Sequence, residues 1–162
     1  MSRYAEKTEV SSDRTRSEIE ATLRRYGATQ FAYGWDPGAA TLGFGISNRL
    51  VRFRLPMPNP KDRRFTHTES RNLQRSADAA AAEYDRAVRQ SWRALALVIK
   101  AKLEAVAAGI TTIEEEFLAH VVLPNGSTVG EWARPQIEVA YDTQQMPALM
   151  PGVNGSGGGD VQ

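Results

Sequence analysis

The sequence predicts an α+β fold: a three-stranded antiparallel β-meander packed against one long helix, with shorter helices on the N-terminal and C-terminal sides. Apolar residues alternate with small or charged residues in three runs between residues 30 and 55, and this period of two is typical of strands. Between residues 77 and 108 apolar residues recur every three or four positions, as in one long amphipathic helix. A length of 162 residues is enough for a single domain with its own core.

The first predicted element is a helix from about Asp13 to Tyr26. Ser12 is its expected N-cap, because a serine hydroxyl accepts hydrogen bonds from the free N–H groups of a first turn. Gly27 stands where a left-handed C-terminal cap belongs.

Both ends of the chain are predicted to lie outside the domain. Residues 1–11 are polar, and we expect them to form a flexible N-terminus. Gly dominates residues 152–162, which predicts a disordered tail. Residues 12–151 therefore form the single predicted α+β domain.

The predicted meander has two chemically different faces. Its three strands are joined by tight turns at Asp36-Pro37-Gly38 and Ser47-Asn48. One face carries nine large apolar side chains: Phe31, Tyr33, Trp35, Leu42, Phe44, Ile46, Val51, Phe53 and Leu55. The other, which we name the glycine face, carries Ala32, Gly34, Gly43, Gly45, Arg52 and Arg54. Glycine offers nothing to pack, so a ligand or another backbone is expected to approach closely there.

A long connection and a long helix follow the meander. Residues 56–75 are rich in proline and then in basic residues, which predicts a loop of some 20 residues. Ser76 is the expected cap of a helix from about Ala77 to Ala108, closed by Gly109. The large apolar face of this helix is the expected cover of the sheet, and its second, alanine-rich face is open to another helix or subunit.

Two capping boxes mark the C-terminal helices. Thr112 and Glu115 open a predicted short helix that ends near Val122. Thr128 and Glu131 open a second helical segment, which Pro135 is expected to kink or restart.

The composition bounds the function. There is no cysteine and there are only two histidines, which argues against disulfides, thiolate chemistry and zinc sites built from Cys or several His residues. No apolar run approaches the roughly 20 residues of a membrane span, and no signal region is visible. We therefore expect a cytoplasmic protein with no membrane partner.

The charge is divided between the two parts of the chain. Residues 1–100 carry 18 Lys and Arg against 11 Asp and Glu, whereas residues 101–162 carry 2 against 8. The densest positive stretch, which we name the basic belt, has eight cations against two acids over 27 residues. The cations of the basic belt are Arg49, Arg52, Arg54, Lys61, Arg63, Arg64, Arg71 and Arg75.

The basic belt predicts a polyanionic partner. Seven of its eight cations are arginine, which suits planar, bidentate phosphate contacts. The alternative is a solvated, salt-bridged surface, but the acids within the belt are too few to pair it. Single-stranded nucleic acid, with DNA favoured, is preferred over duplex because no recognition helix stands out. Phe65 and His67 are the candidate side chains for stacking on bases.

Other side-chain groups predict less. Glu116 and His120 lie four residues apart and in principle suit a hard metal, but a second histidine is missing. The glycines match neither a P-loop nor a dinucleotide fingerprint. No nucleophile–base pair is recognisable, so we expect no catalytic residues and no cofactor. The three consecutive glutamates at 114–116 are either the exposed acidic start of a helix or, in a homo-oligomer, a head-to-tail contact with arginines of a neighbouring subunit.

Several segments carry a resemblance. Over residues 4–151 the chain resembles a family of small phage and prophage proteins that carries no assigned activity, through Tyr26–Phe31, Tyr33–Trp35, Arg52–Pro56, Trp92–Leu95, Lys100–Glu104 and Leu123–Trp132. The resemblance implies a mobile-element origin and a bacterial cytoplasm, and no catalytic residues. A meander followed by a long helix is also similar, at the level of architecture alone, to the core of single-strand annealing proteins.

Together these features predict a non-enzymatic protein that binds single-stranded nucleic acid, as a homo-oligomer, in phage recombination or replication. The alternative is a phage-encoded protein-interaction module that inhibits a host defence or transcription complex and uses the same arginines against an acidic protein.

Overall fold

The computed structural model describes the backbone of residues 3–146 and the side chains of residues 12–146. It confirms the α+β class, with one antiparallel sheet and one long helix among shorter ones. The elements in chain order are α1 (Arg3–Arg25), β1 (Gln30–Asp36), β2 (Ala39–Ile46), β3 (Arg49–Pro56), α2 (Arg63–Thr66), α3 (Ala77–Ala107), α4 (Ile113–Phe117), a 3-10 turn (Leu118–His120) and α5 (Val129–Thr143). The predicted tail 152–162 lies outside the described residues.

The sheet is the predicted meander, with strand order β1-β2-β3 and antiparallel pairing throughout. The first turn places Gly38 at φ 87°, which a side chain would disfavour. In the second turn Ser47 and Asn48 have φ 49° and 58°, so both central residues are left-handed, as the twist of a two-residue hairpin favours.

The core lies between the apolar face of the sheet and two helices. Ile19 and Leu23 of α1 and Trp92, Ile99 and Leu103 of α3 are almost fully buried with the sheet side chains. Trp92 is the largest of these, and its ring meets the rings of Tyr33 and Trp35 at centroid distances of 6.4 and 6.1 Å. The long helix therefore covers the sheet as predicted, and α1 packs alongside it.

The predicted start of the first helix is wrong. The helix begins at Arg3, so residues 3–11 have helical backbone and Ser12 is an interior, fully buried residue instead of an N-cap. The predicted end is confirmed, since Gly27 has φ 91° and follows the last turn.

Three later boundaries also differ from the prediction. The segment 56–75 is not a plain loop, because it contains α2 and a bridge between His67 and Gln74. The helix expected to reach Val122 ends in a 3-10 turn, and Val121 instead bridges Val51 at the edge of β3. Helix α5 continues through Pro135 without a break.

Both predicted capping boxes are present. The hydroxyl oxygens of Thr112 and Thr128 accept from the N–H groups of Glu115 and Glu131, whose carboxylates accept from the threonine N–H groups in return. Among the described residues, no helix has the length and apolar character needed to cross a membrane.

Candidate nucleic-acid interface

The glycine face exists as predicted, on the side of the sheet opposite the core. The register places Ala32, Gly43 and Arg52 in one row across the three strands. The next row holds Gly34, Thr41 and Arg54. Alternation of side chains along each strand directs these rows away from Trp92 and the other core residues. The strand parity on which the site hypothesis depends is therefore confirmed.

The fold itself does not explain two of the three glycines of this face, Gly34 and Gly43, whereas a Cβ at Gly45 would meet the side chain of Gln30 at 3.4 Å. Neither Gly34 nor Gly43 has a positive φ, so neither is needed for an unusual backbone conformation. A Cβ at Gly34 would contact only the Cβ of Thr41, at 3.8 Å, and a Cβ at Gly43 would contact Ala32 and the carbonyl of Val51 at 3.8–3.9 Å. These are ordinary van der Waals distances. The protein's own packing would thus accept alanine at either position.

Arg52 is held at the rim of the glycine face by an acid from the C-terminal part of the chain. Its Nη2 donates to Oε2 of Glu131 at 3.0 Å, and the Arg52 side chain is 33% exposed. The same carboxylate accepts from the Thr128 N–H at 2.7 Å, which lowers the pKa of Glu131, and the nearby Arg52 guanidinium lowers it further. Arg52 is therefore paired, but it is not buried.

Three cations of the basic belt are exposed and have neither an ion pair nor a side-chain hydrogen bond among the described residues. They are Arg54 on the glycine face, Lys61 after the prolines and Arg71 in the turn before α3. A cation without an internal partner loses no protein contact when it binds an anion. These three side chains are the most available in the predicted site.

Two other arginines of the basic belt have structural partners. Arg49 pairs with Glu114 at 3.1 Å, where both side chains are more than half exposed. Arg75 pairs with Glu83 at 3.4 Å, donates from Nε to the His67 carbonyl, and is only 20% exposed. The acids within the belt are too few to pair it, as expected, and the acids that pair with Arg49 and Arg75 come from outside the belt.

The remaining two arginines are the first two residues of α2. Arg63 donates to Oδ1 of Asn72 at 2.7 Å. Arg64 lies over the Phe65 ring at 4.5 Å from its centroid and is 3.8 Å from the Asp62 carboxylate. Arg64 also borders an open groove of about 490 Å³ between the end of β3 and α3, lined by Met57 and other residues. Both arginines are exposed.

The proposed stacking role of Phe65 is wrong. Its side chain is 4% exposed and meets the ring of Tyr84 edge-on at 5.6 Å, so it anchors α2 to α3. His67 is partly buried, and its Nδ1 lies 2.9 Å from the hydroxyl of Thr66. The ring of His67 is thus tethered beside α2.

The basic belt is divided into two areas. Arg52 and Arg54 project from the glycine face. Phe65 packs on α3, which covers the opposite face, and Arg64 borders the groove beside α3, so α2 lies on that side. The residues of the basic belt are close in sequence, but they lie on two separate surfaces of the fold. Of these two surfaces, the glycine face is the better-defined candidate site.

Glu116 and His120 each contact a different side chain. Glu116 accepts from the Lys102 ammonium at 3.1 Å. His120 stacks on Phe53 with centroids 3.9 Å apart, and burial lowers its pKa, with Lys102 adding to the effect. Within the described part of the chain, no group of three or more His, Asp or Glu side chains could hold a metal ion.

Comparisons of the chain with family models, with curated proteins and with solved structures found no match. The resemblance to phage proteins therefore stays a prediction. Sequence reasoning missed Glu131 and Glu114 as partners of the site arginines, and the only signal for them was the opposite charge of the two parts of the chain.

Proposed function

We propose that this protein is a non-enzymatic, self-associating protein that binds single-stranded nucleic acid on the glycine face of its sheet. The observation that carries the proposal is a strip of small residues bordered by Arg52 and Arg54, in which neither backbone conformation nor packing requires glycine at positions 34 and 43. Such a strip allows a sugar-phosphate backbone or a base to approach the main chain closely near Ala32 and Gly34, which are at least partly exposed, while guanidinium groups contact phosphate oxygens.

The chemistry of the face favours contacts to the backbone of the ligand over reading of bases. The face presents two guanidinium groups, one of them without an ion-pair partner among the described residues, and small side chains that offer few donors or acceptors. Affinity supplied by such contacts is independent of sequence and falls steeply with salt. A role in phage recombination or replication, where single strands of any sequence occur, is consistent with this chemistry and with the resemblance.

A pair of double variants tests the site. Arg52→Ala with Arg54→Ala removes the two arginines of the glycine face, while Arg86→Ala with Arg89→Ala removes two exposed arginines from α3. Fluorescence anisotropy with labelled poly-dT, read from low to moderate salt, gives the affinity and its salt dependence. The first variant should bind more weakly and flatten the slope of log K against log salt by about 1 to 2, since each lost phosphate contact on a single strand removes roughly 0.7. Equal loss in both variants, or none in the first, would contradict the site.

A second candidate function is recognition of an acidic protein, such as a component of a host defence or transcription complex. The favouring observation is that Arg49 and Arg52 already bind carboxylates, those of Glu114 and Glu131. Pull-down from host lysate with and without nuclease separates the two functions. A partner that persists after nuclease treatment and is lost with Arg52→Ala and Arg54→Ala supports protein recognition.

A further inference from the structure

Helix α5 is only weakly covered by the rest of the described structure. None of its residues is buried, and its main contacts are with the adjoining 3-10 turn. Trp132, Ile137, Val139 and Tyr141 are all more than 40% exposed within the described structure. Trp132 and Val139 are seven residues apart and share one side of the helix, and exposed apolar side chains grouped in this way are typical of a surface that meets another protein.

The charge of α5 restricts what this helix can meet. Its exposed carboxylates include Glu138 and Asp142, and among the described residues neither has an ion-pair partner. Asp142 lies three residues after Val139, so the two are neighbours on the helix surface. A complementary surface must therefore be apolar at its centre and positive at its border.

The same chain carries such a surface between α1 and α3. A groove of about 390 Å³ there is lined by Ala96, Leu97 and the buried Ile99, with Arg25, Arg93 and Lys100 along it. Leu97 is 64% exposed, although it belongs to the helix that covers the sheet. None of the three cations has an ion-pair partner among the described residues. The acid of the groove, Glu18, is already paired with Arg14 at 3.2 Å.

We propose that α5 of one copy of this chain docks in the α1–α3 groove of a second copy. The contact places Trp132 and Val139 against Leu97 and brings Asp142 towards the cations along the groove. The α5 surface and the α1–α3 groove are different surfaces, so the contact is head-to-tail and each copy can bind two neighbours. Repetition produces a closed ring or an open filament. This contact supplies the surface for the self-association in the proposed function, and it does not involve the glycine face.

Single substitutions on each surface test the contact without nucleic acid. Val139→Lys adds a positive charge to the helix, and Leu97→Lys adds one to the groove. Leu73→Lys is the matched control, because Leu73 is 58% exposed and lies on neither surface. Each of the first two variants should weaken self-association about tenfold or more, since an unpaired charge is then placed in an apolar contact. Mass photometry and analytical ultracentrifugation provide the readout, with circular dichroism to verify folding.

Mixing the two variants gives the decisive result. The Val139→Lys chain keeps its groove and the Leu97→Lys chain keeps its α5, so a 1:1 mixture should form heterodimers and stop there. A wild-type chain that stays monomeric at high concentration would overturn the proposal. A Leu97→Lys variant that assembles like wild type would also overturn the proposal, because it would indicate that α5 pairs with itself. A mixture of the two variants that stays monomeric would overturn it as well. Because no oligonucleotide is present, each of these failures leaves the proposed nucleic-acid site standing.

Discussion

Arg52 and Glu131, 79 residues apart in the chain, form the ion pair that joins the glycine face to the start of α5. Glu131 performs two tasks with one carboxylate oxygen, since Oε2 accepts both from Arg52 and from the Thr128 N–H of the capping box. A phosphate that binds Arg52 must therefore compete with this carboxylate. The pair makes Glu131 an internal competitor of the proposed ligand.

The first prediction is that Glu131→Gln tightens the binding of poly-dT. The substitution removes a negative charge beside Arg52 and leaves the guanidinium without its carboxylate partner, so phosphate meets less competition. The control is Glu115→Gln, because Glu115 occupies the same place in the other capping box and receives its hydrogen bonds from Thr111 and Thr112. Both variants should melt at slightly lower temperatures, and only Glu131→Gln should gain affinity by anisotropy. A gain in both, or in neither, would argue against competition at Arg52.

A second prediction concerns the glycine face. Gly34→Val should fold with unchanged or slightly higher stability, because the new Cβ meets only Thr41 at 3.8 Å and a β-branched residue favours a strand by up to about 1 kcal/mol. The valine methyl groups would project from the glycine face beside Ala32 and Thr41, so oligonucleotide affinity should fall. Thermal melting and anisotropy on the same sample separate the two effects. Unchanged affinity in a well-folded variant would mean that the ligand does not touch this strip.

The sheet was predictable because its signals are local. Alternation between Phe31 and Leu55 fixes which face each side chain takes, and Gly38, Ser47 and Asn48 fix the turns that hold the register. The prediction of Ser12 as an N-cap is wrong because it used only the local preference of serine for caps. The residues before Ser12 continue the helix, so Ser12 lies in its interior.

The charge pairing was not predictable, because it depends on contacts between distant parts of the chain. The net charge of the basic belt contains no information about Glu114 or Glu131, which the fold brings to Arg49 and Arg52. The burial of Phe65 could not be predicted either. It lies in a four-residue helix with no periodic pattern around it, so its burial against Tyr84 is visible only in the structure.

A third prediction is a loss of stability on mild acidification that depends on His120. Burial lowers the pKa of the His120 imidazole below its ordinary value of 6.5. The unfolded state therefore binds the proton more readily than the folded state, and the free energy of unfolding falls as the pH drops through about 6.5 and levels off below the folded pKa. Urea denaturation of wild type and His120→Gln between pH 7.5 and 5 (roughly the range in which histidine titrates) should show a smaller decline in the variant. Parallel curves would mean that other groups cause the decline.

The fourth prediction separates structural from ligand-binding residues around α2. Phe65→Ala should destabilise the fold by about 3 kcal/mol, because it removes a buried ring that packs on Tyr84. Arg71→Ala should leave stability unchanged, since Arg71 is exposed and has no partner among the described residues. If the area around α2 contributes to binding, Arg71→Ala lowers the salt dependence of poly-dT affinity, whereas Phe65→Ala, measured well below its melting temperature, does not. A Phe65→Ala variant that keeps its stability and loses affinity would restore the stacking role that the burial of Phe65 contradicts.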